Sequence, residues 1–220
     1  MDIKNIKEYW SENLYTFDNK SQYMNMLDRK SHEFLCTVGI PIFQESHRCY
    51  KYLYTLEKTL YREKSYIRIA NSVYDNVELC IDTQTGAVIH LDKECDEYTC
   101  YVNKDIETYI KCITYEYSLT HNYSQMKDYP KYTCPYVKGV KEKEFFDYAC
   151  KLYNCINKMD EKAVEMKSVW NPWVAFLMEM ADGECDYHTE EITCLIKSGK
   201  YKSYEETIYA FIAGKEKFND

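Results

Sequence analysis

The chain has 220 residues, 45% of them hydrophobic and 29% charged, with a formal charge of -8 and a pI near 5.3. This is the composition of a soluble globular protein, and its acidic balance excludes the common kind of nucleic-acid binder, which needs a basic face to release counterions from phosphates. No apolar run approaches the ~18 residues of a membrane helix and residues 1–20 lack a signal-peptide core, so a cytoplasmic protein with no membrane contact is expected.

Eleven Cys are odd in number and scattered, which suits reduced core thiols better than a disulfide framework. Twenty-four Tyr fit either a biased base composition or a surface built for protein contact, where Tyr is enriched. Along the chain, Ile3, Ile6 and Trp10 at helical spacing predict one short helix within residues 1–25. Ser31 is placed to cap a turn in which Phe34, Leu35 and Val38 face inward, and Gly39-Ile40-Pro41 ends it with a left-handed residue and a helix stop. Residues 42–64 are polar and Tyr-rich without a clear period, and read as a long connection holding at most one edge strand.

From Ser65 to Ala70 the chain sets Tyr66, Arg68 and Ala70 against Ile67 and Ile69, the alternation of a half-buried strand. A turn cluster over residues 71–76 leads to Val77, Leu79 and Ile81, which alternate with Glu78, Cys80 and Asp82. Thr83-Gln84-Thr85-Gly86 then makes a glycine-closed turn into a strand over 88–91. Lys93 to Glu97 is a second, acidic turn, Tyr98 to Val102 a further strand, and Asn103 ahead of Asp105, Ile106, Ile110 and Ile113 a helix start. The predicted unit is an antiparallel meander that runs into a helix.

Residues 118–139, with Pro130 and Pro135, read as a linker, and the pattern beyond is helical. Phe145, Ala149, Leu152, Ile156 and Met159 make one apolar stripe. Asn171-Pro172 opens a helix with Trp173, Phe176, Leu177 and Met180 on its buried face and Gly183 as its stop. Thr189 opens another, which Gly199 closes, and Ser203 with Glu206 forms a capping box.

Chemistry-bearing residues are present without a catalytic pattern around them. Cys36, Cys49 and His47 lie close in sequence, but no thiol-enzyme signature surrounds them. Cys185, His188 and Cys194 lack the spacing of a structural zinc site. Neither GxGxxG nor GxxxxGK[ST] occurs, His90 on a strand reads as a satisfied edge residue, and no cofactor or metal is expected.

Phe34-Leu35-x-x-Val38-Gly39-Ile40-Pro41, then Leu79-Cys80-Ile81-Asp82 with Gly86 and Val88, then Tyr101-Val102-Asn103 opening a helix, resemble in order and spacing the SUKH immunity-protein superfamily, most of all its fourth subgroup. The similarity continues through Asp160, Ala163, Trp173, Glu179 and Gly183. The chain departs from the family where that often has Gly-Leu-Pro and Val-Asn-Ser-Ser. The resemblance implies an α+β fold, a twisted and mainly antiparallel sheet with helices packed against it and a helical C-terminal part. It would be a single domain over 1–220, with an N-terminal helical segment (1–30), a family core (31–183) and a C-terminal extension (184–220).

The implied function is that of a bacterial, non-enzymatic immunity protein, monomeric when free, that binds and neutralises a cognate polymorphic toxin, a nuclease in many cases. An acidic, Tyr-rich protein suits the basic cleft of such a partner. Contact candidates are Tyr74, Asp75, Asp92, Glu94, Asp96 and Glu97, on turns of the meander. The alternative is a non-catalytic regulatory interaction module, since one fold serves many functions; a hydrolase using Cys36 or Cys49 is the third class.

Overall fold

In this computed structural model the described residues are 3–42, 50–72, 76–94, 99–124, 142–165, 168–170, 194–202, 206–207, 210 and 215–216, with side chains described in all of them except 120–124 and 142–150. Two compact units divide the chain, Met1–Tyr115 with Lys167–Val169 and Glu116–Met166 with Trp170–Asp220.

The first unit begins with helix α1 (Ile3–Trp10), which buries Ile6 and Trp10 of the three residues at helical spacing and leaves Ile3 exposed. The Trp10 indole N–H is satisfied by Thr114 Oγ1 at 2.8 Å. A two-residue strand β1 (Leu14–Tyr15) pairs antiparallel with β2 (Ile40–Pro41). Between them lies α2 (Arg29–Thr37), and its cap differs from the expected Ser31. Asp28 Oδ1 accepts the N–H groups of Lys30 and Ser31 at 2.9 and 3.0 Å, while the Ser31 hydroxyl donates to Asp28 Oδ2 at 2.5 Å. A carboxylate satisfies two orphan N–H groups at once and its charge suits the positive end of the helix, so Asp28 takes the position. Phe34, Leu35 and Val38 are buried as predicted. At Gly39 φ is +86°, and a Cβ there would stand 2.1 Å from the Tyr15 carbonyl oxygen, so this crossing admits glycine alone.

A five-stranded antiparallel sheet follows, its strands side by side in chain order: β3 (Tyr50–Tyr61), β4 (Lys64–Ser72), β5 (Val77–Asp82), β6 (Val88–Asp92) and β7 (Thr99–Asn103). The fold is α+β. Much of the stretch read as a connection is thus the twelve-residue edge strand β3. Its pairing with β4 breaks between Tyr52 and Glu57, so no single alternation runs through it.

A second bulge has a larger consequence. In β4 the register steps between Arg68 and Ala70, and both Ile69 and Ala70 are fully buried. Ala70 therefore leaves the side that Tyr66 and Arg68 share, contrary to the simple alternation. Arg68 opposite Cys80 and Asn71 opposite Glu78 come to one face of the sheet, three residues apart in β4 and two in β5. On that face Tyr66, Cys80, Ile89 and Leu91 form an apolar cluster with Tyr61 against it.

The opposite face carries Ile67, Ile81, Val88 and Asn103 in one register row and Ala70, Leu79, His90 and Cys100 in another. Helix α3 (Ile106–Ser124) meets this face. Tyr52 and Tyr109 share a hydroxyl–hydroxyl hydrogen bond of 2.5 Å, and Asn103 Nδ2 donates to Cys112 Sγ at 3.7 Å. Ile106, Tyr109, Ile110 and Ile113 are buried. The helix start is Asp105, whose Oδ1 accepts the Thr108 N–H at 2.7 Å; Asn103, two residues earlier, is the buried end of β7. The outer side of β7 is met by residues 168–169, through a parallel bridge from Tyr101 to Ser168 and a 3.0 Å bond from the Val169 N–H to the Tyr101 carbonyl.

In the second unit α4 (Glu142–Met159) buries Leu152 and Ile156 of the expected stripe, while the side chains of Phe145 and Ala149 lie outside those described. A 3-10 turn over Glu161–Val164 buries Ala163 and Val164. Residues 118–124, expected in a linker, continue α3 instead, and Pro130, Pro135 and the Trp173 helix fall outside the described residues. Gly199 has φ of +75°, as a helix stop requires, and Glu206 accepts the Lys202 N–H at 2.7 Å. Among the described residues no helix is long and apolar enough to cross a membrane.

Candidate partner-binding site

The two ends of the meander differ in what their polar groups do. At the β5–β6 turn, Asp82 Oδ1 accepts the N–H groups of Gln84 and Thr85 at 2.7 and 3.1 Å, and the Gly86 N–H returns to the Asp82 carbonyl at 2.8 Å. Gly86 sits at φ +75°, and a Cβ on it would stand 2.8 Å from Asp28 Oδ2 at the cap of α2. Nearby in sequence order, the start of α3 is tied to α2 by Lys30, which bridges Asp105 at 2.7 Å and Glu107 at 3.3 Å. Burial alone would raise the Asp105 carboxyl, but the Lys30 ammonium and the Thr108 N–H together hold it below the usual carboxylate range. Glu107 is likewise lowered, burial being outweighed by Lys111 and Lys30.

At the other end the strands open into a cleft of about 510 Å³. Arg68, Asn71 and Ser72 of β4 line one side, Asn76, Val77 and Glu78 another, and Lys93 and Glu94 of the turn after β6 a third. Glu78 is 6% exposed in the middle of a sheet, which a carboxylate tolerates only when it is paired. Here one oxygen, Oε1, accepts from Arg68 Nη1 and from Lys93 Nζ, each at 2.7 Å. Arg68 Nη2 also pairs with Glu57 of β3. The register explains the cluster, because Arg68 lies opposite Glu57 and Cys80, and Glu78 is its diagonal neighbour on the same face. Arg68 Nε is buried without a hydrogen-bond partner among the described residues.

Beside the cleft the Cys80 thiol donates to Glu78 Oε2 at 3.9 Å. Burial pushes that thiol far above its ordinary range, and the Glu78 charge adds to the effect, so Cys80 stays protonated and acts as a small apolar residue. Cys36 is raised too, by burial and by Asp18. The other residues weighed for thiol chemistry, Cys49 and His47, lie outside the described residues, as do Cys185 and His188. Cys194 is exposed, and among the described residues no group of three or more His, Cys, Asp or Glu is arranged to hold a metal. Tyr50 and His90 share a hydroxyl-to-Nδ1 hydrogen bond, so His90 has a partner, but β6 lies between β5 and β7 and His90 is not at the edge expected for it.

Of the six predicted contact residues, Tyr74, Asp75, Asp96 and Glu97 lie outside the described residues. Asp92 is half-buried and its Oδ1 accepts the Glu94 N–H at 2.9 Å, a turn-forming role. Glu94 is exposed, lines the cleft and accepts a hydrogen bond from the Asn76 side-chain amide. Arg68, Glu78, Lys93 and Asn71 were not among the predicted residues. Their one sequence signal is a charge inside each of two apolar strand runs, Arg68 between Ile67 and Ile69 and Glu78 between Val77 and Leu79. Comparison of the chain with protein-family models, with curated proteins and with solved structures returns no match.

Proposed function

We propose that this chain is a cytoplasmic bacterial immunity protein of the SUKH kind, which binds and neutralises a cognate polymorphic toxin by direct protein–protein contact and without catalysis. The observation that carries the reading is the order of the elements around the motif residues. Gly39 ends α2 at φ +86°, five antiparallel strands follow in chain order with Gly86 at φ +75° in the turn between β5 and β6, and β7 runs through Val102 and Asn103 into α3. An antiparallel sheet with helices beside it is the fold class that the resemblance implied, and it supports the reading. The acidic net charge and a polar cleft at one end of the sheet support a basic partner, with a nuclease as the class that charge suits best.

The test is to express the chain with the toxin domain encoded beside its gene, and to measure binding of the two purified proteins. Protection of the host and a complex whose association rate falls steeply between low and physiological salt are the expected results. A chain that neither binds nor protects against that toxin removes the reading.

A further inference from the structure

The two edges of the five-stranded sheet differ. The outer side of β7 is met by residues 168–169, whereas residues 53–60 of β3 have no backbone hydrogen bond beyond the ladder to β4 among the described residues. Of the exposed large apolar side chains among the described residues, Ile3, Tyr54 and Leu60, two lie on β3, and Leu60 is 65% exposed. An open row of N–H and C=O groups beside an exposed leucine is a template for another strand. The bulge between Tyr52 and Glu57 confines the regular part of that edge to residues 57–61.

We infer that residues 57–61 pair antiparallel with the same residues of a second copy of this chain. Two strands so related share a two-fold axis perpendicular to the sheet, so facing side chains lie on one side of it and one central residue faces itself. Charge then selects the register. Centred on Glu57 or on Lys58, the pairing sets that charge against its own copy, and centred on Leu60 it sets Lys58 against Arg62. Tyr61 as the centre leaves only the hairpin end to overlap. Centred on Thr59, no like charges face each other. Lys58 then meets Leu60, whose exposed side chain its methylene stem covers, and Glu57 meets Tyr61, over whose ring Arg62 lies at 5.3 Å. Each copy thus sets a carboxylate, already paired with its own Arg68, beside a guanidinium of the other. A dimer of this kind is independent of any toxin, and it departs from the free monomer that the resemblance implies.

The experiment is sedimentation equilibrium of the whole chain across roughly 5–300 μM, a range that brackets the weak association of so short an interface. Wild-type protein should pass from monomer to dimer within it. Leu60→Lys, on an exposed side chain, places a second cation against Lys58 of the other copy and should weaken dimerisation about tenfold. Ile3→Lys, on an exposed side chain of α1, should leave it unchanged. The register makes a sharper demand: Lys58→Glu added to Leu60→Lys sets opposite charges across both pairs and should restore the dimer. Wild-type protein that stays monomeric across the range overturns the inference. So does a dimer that Leu60→Lys leaves intact or that Ile3→Lys weakens as much, and so does a double variant that stays monomeric.

Discussion

At the end of the sheet that holds the β5–β6 turn, Asp28, Asp82 and Asp105 each accept backbone N–H groups, and Lys30 adds its charge to Asp105 and Glu107. At the opposite end Glu78 gathers two side-chain cations, and Glu94 keeps a carboxylate that no cation reaches among the described residues. Acids turned onto nearby backbone N–H groups shape turns and helix starts and leave nothing for a ligand. Acids met by cations from other strands depend on sheet register. Residue type alone does not separate the two uses; the partner does.

The sharpest way to break this contrast is at Glu78. Glu78→Ala removes the acceptor of two cations, and stability should fall by about 2–3 kcal/mol, less than for a fully buried pair because Arg68 and Lys93 are partly solvated. Urea denaturation measures it, and adding Arg68→Met should recover a good part of the loss. A change below about 0.5 kcal/mol would mean that water already serves these cations and that the network holds nothing in place.

Gly86→Ala tests the other end. Positive φ and the 2.8 Å approach to Asp28 Oδ2 predict a loss of about 1–2 kcal/mol, seen as a lower Tm, with the cleft resonances unchanged. The smallest effect belongs to Lys30. The folded-state carboxyls of Asp105 and Glu107 lie below their ordinary values, so their contribution is complete above about pH 4–5 and is lost as pH falls through the lowered folded values. Lys30→Met should cost at most about 1 kcal/mol near neutrality, since its ammonium is more than half exposed, and should flatten the acid limb of the stability–pH curve. An unchanged acid limb would show that Thr108 and Lys111 carry the effect without Lys30.

The two ends were unequally legible. Asp82 and Gly86 are two to four residues from the groups they serve, and a turn of that length is written in consecutive residues. The cleft joins Arg68, Glu78 and Lys93, ten and fifteen residues apart, through pairings that a single slip of register would undo. Glu94 was legible as a charged turn residue; what stands beside it was not.

The sequence by itself determined strands β4 to β7 of the meander, the glycines at Gly39 and Gly86, and the inward faces of α2 and α3, because period and φ are properties of neighbouring residues. Only the tertiary structure decided that Asn103 is taken up as the buried end of β7, that β3 runs for twelve residues along β4, and that Glu78 is buried. The bulge at Ile69–Ala70 shows the reason most clearly. One extra residue, inserted where strands from different parts of the chain meet, moves Ala70 to the apolar face and brings Asn71 round to the cleft, and no local spacing records where that residue is gained.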